Sequence, residues 1–189
     1  MIVLVTGGAR SGKSAFAEKY AALRAREGVY VATAEALDEG MSRRIALHRE
    51  QRERTGFAWR TIEEPYDVPG VLLRHADAPV VLVDCLTLWL SNLLLREEGE
   101  TDVEARIEAS IEALTETLSG FQGRVILVTN EVGDGIVPAY PLGRVYRDLA
   151  GIMNRKVAAV SDEVFLVTAG IPVELKRLAF VWPEAEARG

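Results

Sequence analysis

Short apolar runs alternate along this chain with segments whose hydrophobic positions recur at helical spacing. Residues 2–6, 29–33, 80–84, 124–130 and 164–168 form aliphatic, β-branched runs, and 59–62 forms a weaker one. Runs that are apolar on both faces predict strands covered by helices on both sides of a parallel sheet. Val103, Ile107, Ile111, Leu114 and Leu118 predict one amphipathic helix. Leu142, Val145, Leu149, Ile152 and Val157 predict another, started by Pro141. A polar helix is expected from Asp38 to about Arg54, with Met41 and Ile45 as its main apolar anchors. The apolar stretch 86–95 is interrupted by Thr87, Ser91 and Asn92. It is shorter than the roughly 20 residues that span a bilayer, so it reads as a buried helix and no membrane span is expected.

This alternation predicts a single doubly wound α/β domain over residues 1–176, a mostly parallel sheet with helices on both faces. The polar tail at 177–189 is expected to be poorly ordered.

The first strand runs into Gly7-Gly8-Ala9-Arg10-Ser11-Gly12-Lys13-Ser14, and a helix is expected from Ser14 to about Arg26. Gly7, Gly12, Lys13 and Ser14 fit G-x-x-x-x-G-K-[ST] in the strand–loop–helix context that motif requires. Such a loop wraps backbone N–H groups around phosphate oxygens and adds the partial positive charge of a helix N-terminus. Lys13 is placed to reach the β- and γ-phosphates and Ser14 to ligate Mg²⁺. The fold class therefore narrows to P-loop NTPase-like. A carboxylate for the magnesium site stands at the end of a hydrophobic strand in two places, Asp84 and Glu131. Asp84 is preferred, because its strand fits the hydrophobic-run-plus-Asp pattern directly.

Composition removes other classes. The 189 residues carry a net charge of −6, with a pI near 5.1. No global basic field for nucleic acid exists, and any anion must be held by a local cluster. A lone cysteine, Cys85, excludes an internal disulfide and a Cys-rich metal site. The apolar run 2–5 is too short for a secretory signal, so a cytoplasmic location is expected.

Two histidines are present. His75 lies at the expected end of a helix before a turn, where a solvated structural role suffices. His48 lies among five arginines and two glutamates between residues 43 and 54, a local +3 in an acidic chain. Arg44, His48 and Arg52 share a helical face. Such a patch suits a polyphosphate, and nearby cations keep an imidazole neutral and nucleophilic at pH 7. On spacing alone, a solvated charged helix is the commoner explanation for such a run.

Further segments join these: Tyr30-Val31-Ala32-Thr33-Ala34, Trp59-Arg60-Thr61-Ile62-Glu63, Asp84-Cys85-Leu86-Thr87 and Thr129-Asn130-Glu131-Val132-Gly133. Gly135-Ile136-Val137-Pro138, Arg147-Asp148-Leu149-Ala150-Gly151 and Ala169-Gly170-Ile171-Pro172 follow. Together with the phosphate loop and the His48 segment, they resemble the bifunctional adenosylcobinamide kinases/adenosylcobinamide-phosphate guanylyltransferases of cobalamin biosynthesis. The resemblance implies phosphorylation of adenosylcobinamide by ATP or GTP. It also implies transfer of GMP from GTP to adenosylcobinamide phosphate through a guanylylated histidine, which falls on His48. It assigns nucleotide contacts to Gly7, Gly8, Ala9, Arg10, Ser11, Gly12, Lys13 and Ser14, to Ala32, Thr33 and Ala34, to Arg49, Glu50, Gln51 and Arg52, and to Glu63 and Asp84. It further implies Mg²⁺ at Ser14 and Asp84, and a homotrimer. Some relatives carry a second histidine at the position of Leu47 and a glutamate at that of Asp84. A P-loop kinase of another specificity and a non-catalytic nucleotide-binding module are the rival readings.

Overall fold

The computed structural model describes residues 1–35 and 39–181; between residues 39 and 53 the side chains of Met41, Ser42, Arg44, Ile45, His48, Gln51 and Glu53 lie outside that description. Strands β1 (Ile2–Thr6), β2 (Glu27–Ala32), β3 (Ala58–Glu63), β4 (Val81–Asp84), β5 (Val125–Val128), β6 (Glu163–Thr168) and β7 (Ile171–Glu174) form one sheet. Its order is β3-β2-β4-β5-β1-β6-β7, and only the β6–β7 pairing is antiparallel. The helices are α1 (Lys13–Ala22), α2 (Glu39–Glu53), α3 (Val68–Arg74), α4 (Leu86–Arg96), α5 (Val103–Ser119), α6 (Pro141–Val160) and α7 (Leu175–Leu178).

The two faces of the sheet bury different helices because alternate strand residues point to opposite sides. Val3, Val5, Leu82, Ile126 and Val128 pack with Ala17, Tyr20 and Ala21 of α1. Leu4, Val31, Val83 and Leu127 pack with Trp89 and Leu90 of α4, Ile111 and Leu114 of α5, and Leu149 and Met153 of α6. Each of these large side chains contributes about 1.5–3 kcal/mol through burial. Right-handed crossovers send the chain after β1 over one face and the chain after β5 over the other. β1 and β5 are neighbours, so a crevice opens between the loops that follow them.

The expected α/β architecture is present, and its departures from expectation have physical causes. β2 starts at Glu27, two residues before its apolar run, because Gly28 sits within the strand. A Cβ there would lie 2.6 Å from Val80 Cγ1 and 2.7 Å from the Val80 carbonyl oxygen, so a strand-weakening glycine is required by close approach. β5 ends at Val128, since Thr129 and Asn130 turn their side chains to α6 and α4. α1 ends at Ala22 rather than near Arg26, where the chain turns into β2. β7 escapes the apolar-run criterion because it contains Pro172, tolerated on an edge strand. Residues 182–189 of the expected tail lie outside the described residues.

Candidate active site

The phosphate loop leaves β1 at the carboxyl edge of the sheet, beside the crevice. Gly7 has φ 152°, and a Cβ on it would press into the backbone carbonyl oxygen of Val167. Only glycine lets the loop pass β6 this closely. The Ser11 carbonyl accepts from the Gly170 N–H at 2.9 Å, tying the loop to the β6–β7 turn. Gly12 caps α1 and brings no side chain to compete for the first-turn N–H groups. Lys13 is 8% exposed and its Nζ donates to the Gly8 carbonyl at 3.1 Å, bracing the loop across its mouth.

Strand register gathers the other expected residues. Glu63 stands opposite Ala32, Ala32 opposite Asp84, and Asp84 opposite Val128. Val128 is in turn opposite Val5, one residue before Thr6. The carboxylates of β3 and β4 and the segment after β2 thus share the edge from which the loop emerges. Thr33 is fully buried; its hydroxyl donates to the Cys85 carbonyl at 2.7 Å and accepts from the Cys85 N–H at 2.8 Å. Asn92 holds the Thr33 carbonyl at 2.7 Å. The Thr33 N–H donates to the Asp84 carbonyl at 3.3 Å, so Thr33 braces the segment after β2 against β4. Cys85 is enclosed, and burial pushes its thiol up to about 11, so it is no nucleophile.

A cavity of about 890 Å³ opens over the loop, of a size that takes a nucleoside triphosphate. One wall comprises Arg10, Ser11, Gly12, Lys13, Ser14 and Ala15, with Glu18 and Lys19 of α1. The other comprises Gly40, Arg43 and Leu47 of α2, with Thr55 beyond it. The side chains of His48 and Gln51 lie outside the described residues, but their helix forms this wall. Arg49 and Glu50 are exposed, and Glu50 pairs with Arg54 at 2.5 Å.

Arg52 differs from its neighbours. It is 6% exposed, with its guanidinium 3.8 Å from the centroid of the Tyr30 ring. Tyr30 donates its hydroxyl to Asp84 Oδ2 at 3.0 Å. Glu18, one helical turn beyond Ser14, completes the group. Its carboxyl is pushed from 4.5 up to about 7, chiefly by burial and further by Asp84, against the opposing pull of Arg52. Burial, then Asp84, holds the Tyr30 phenol well above its ordinary value. Sequence reasoning missed Glu18 and the role of Tyr30. The i, i+4 relation of Ser14 and Glu18 was the available signal.

The Ser14 hydroxyl and Asp84 carboxylate are hard oxygen donors of the kind Mg²⁺ takes, and the Tyr30 bond engages only one Asp84 oxygen. Among the described residues no group of three His, Cys, Asp or Glu forms a metal cluster. Glu131, the rival carboxylate, stands on the other flank of the loop; its N–H donates to the Gly7 carbonyl at 3.2 Å. His75 is remote, capping α3 and lying 2.8 Å from Arg60 through Nδ1.

A polar chain supports the crevice from behind. Thr129 donates to Asn154 Oδ1 at 2.7 Å, Asn154 Nδ2 to the Asn130 carbonyl at 3.0 Å, and Asn130 Nδ2 to Thr87 Oγ1 at 3.0 Å.

The family model described as cobinamide kinase / cobinamide phosphate guanyltransferase matches residues 3–175. The chain belongs to this family. It is 45% identical over 174 residues to the bifunctional adenosylcobalamin biosynthesis protein CobP of Pseudomonas aeruginosa, covering 92% of this chain and 96% of that one. It is 41% identical over 187 residues to the bifunctional adenosylcobalamin biosynthesis protein CobU of Escherichia coli, covering 93% and 100%. Among solved structures, an ATPase of a bacterial type III secretion system aligns with TM-score 0.51 at 12% identity, covering 97% of this chain and 59% of that one. That likeness concerns the fold alone and agrees with a P-loop NTPase-like domain. Among the described residues no helix is long and apolar enough to cross a membrane.

Proposed function

We propose that this chain is a bifunctional enzyme that phosphorylates adenosylcobinamide and then guanylylates the product through His48. The observation that carries this reading is the cavity itself, walled on one side by the phosphate loop and on the other by the helix that bears His48.

In the guanylyl half, an imidazole nitrogen of His48 attacks the α-phosphorus of GTP. The bond to the bridging oxygen breaks, and its electron pair leaves on pyrophosphate. An oxygen of the phosphate on adenosylcobinamide phosphate then attacks the same phosphorus, frees the imidazole and yields adenosylcobinamide-GDP. The loop N–H groups and Lys13 stabilise the charge on the departing pyrophosphate, the kind of preorganised electrostatics that supplies most of such a rate. Ser14 and Asp84 would hold Mg²⁺, which when bound supplies charge neutralisation on the phosphates. Glu63, Ala32, Thr33, Ala34, Arg49 and Arg52 are assigned to the nucleoside of the same nucleotide, a reading supported by the register that puts Glu63 and Ala32 beside Asp84. In the kinase half the γ-phosphoryl group of ATP or GTP moves instead. The enzyme is read as a cytoplasmic homotrimer.

Incubation with GTP and Mg²⁺ should add the mass of one guanylyl group, GMP less a water, to the intact chain, mapped to His48. His48→Ala should form no adduct. An adduct in that variant, or none in the wild type, overturns the guanylyl-histidine.

A further inference from the structure

The crevice between β1 and β5 divides the surroundings of the phosphate loop into two flanks. On one, α1 and α2 bound the large cavity. On the other, the chain after β5 runs from Thr129 to the start of α6, over the opposite face of the sheet. Its first segment is pinned to the loop, since Thr129 N–H donates to the Val5 carbonyl at 2.9 Å and Glu131 N–H to that of Gly7 at 3.2 Å. Glu131 therefore continues the β5–β1 ladder alongside the first glycine of the phosphate loop. Its carboxylate is exposed, and its Oε1 accepts from the Gly133 N–H at 2.8 Å, which holds it on this flank. The Thr129–Asn154–Asn130–Thr87 chain anchors the two residues before Glu131, and Arg147 donates to the Gly133 carbonyl beyond it. The same loop exposes Ile136 (97%), Val137 (60%) and Tyr140 (64%), an apolar surface suited to a large macrocycle whose reacting group is one hydroxyl.

We infer that Glu131 is the proton acceptor of the kinase half-reaction, acting on the flank of the phosphate loop opposite α2. The inference rests on the reading of the chain as an adenosylcobinamide kinase. The acceptor hydroxyl oxygen attacks the γ-phosphorus, and the bond from that phosphorus to the β,γ-bridging oxygen breaks. Its electron pair departs on the nucleoside diphosphate, while the hydroxyl proton passes to a Glu131 carboxylate oxygen and then to water. One phosphate loop thereby serves two chemistries from its two sides. His48 works at the α-phosphorus from the α2 flank, and Glu131 works at the acceptor from the β5 flank.

Glu131→Gln tests this, because an amide oxygen still accepts from Gly133 but cannot take the proton. Both half-reactions are assayed separately in the full-length protein: phosphorylation of adenosylcobinamide, and transfer of GMP from GTP to pre-formed adenosylcobinamide phosphate. The kinase kcat should fall by about 100-fold or more with KM little changed. Formation of the GMP adduct and its transfer should stay within about threefold of wild type, which also shows that the variant is folded. A kinase kcat within about threefold of wild type, or parallel loss of both half-reactions, overturns the assignment. A wild-type protein that phosphorylates no adenosylcobinamide overturns the reading on which it rests instead.

Discussion

Replacing Glu18 with glutamine should make the protein more stable at neutral pH, although the residue lines the cavity. The folded carboxyl takes up its proton near pH 7, against 4.5 ordinarily, so the folded state binds that proton more tightly than the unfolded chain does. Stability from this group is fully present below about pH 4.5 and is lost as pH rises to about 7. At 1.36 kcal/mol per tenfold change in proton affinity, the shift corresponds to about 3 kcal/mol. Glu18 is only half-buried, and solvent screening brings the expected effect to about 1–2 kcal/mol. Urea unfolding of the wild type and of Glu18→Gln at half-unit intervals from pH 5 to 8 reads it directly. The two should be close at pH 5, and the variant should gain about 1–2 kcal/mol over the wild type by pH 8. A difference that stays flat across the window, or one that grows in favour of the wild type, refutes the argument. Bound triphosphate should carry the titration higher still, because added negative charge near Glu18 favours its neutral form.

Gly7→Ala should abolish GTP binding in calorimetry and cost about 1–3 kcal/mol of stability in urea, because the Val167 carbonyl it meets belongs to a paired strand and cannot step aside. Arg52→Met keeps most of the stem but removes the charge above Tyr30, and should cost about 0.5–2 kcal/mol. The same change removes the cation that opposes the upward shift of Glu18, so the pH-dependent loss should move to higher pH; an unchanged profile would falsify the coupling.

What the sequence made legible was local. β1, the phosphate loop and the amphipathic pattern of α5 and α6 could be read because each is encoded in a continuous stretch with its own periodicity. Asp84 could be placed because its strand is a hydrophobic run ending in a carboxylate. α3 was read only at its end, by His75, because Pro69 and Gly70 interrupt its pattern, although Asp67 caps its start by accepting from the Gly70 N–H at 2.9 Å. The setting of Glu18 depends on Arg52, Tyr30 and Asp84, which arrive from α2, β2 and β4. Asn154 escaped for the same reason, since its partners are 24 and 25 residues away. Register across a sheet is invisible to a window that slides along the chain. It is nonetheless register that aligns Glu63, Ala32 and Asp84 along one edge.

The seating of β1 between β5 and β6 also bears on when the nucleotide site comes into being. The phosphate loop is synthesised before β6 and β7, yet Gly7 is shaped against Val167, and the Ser11 carbonyl is held by Gly170. Ile2 N–H donates to the Asp162 carboxylate across 160 residues of sequence. A nascent chain therefore carries its phosphate-binding motif as an unpaired strand and an unshaped turn until β5 and β6 follow it. Contacts of such separation form slowly because a long loop must close first. The earliest-made part of the site is the last to acquire its working form.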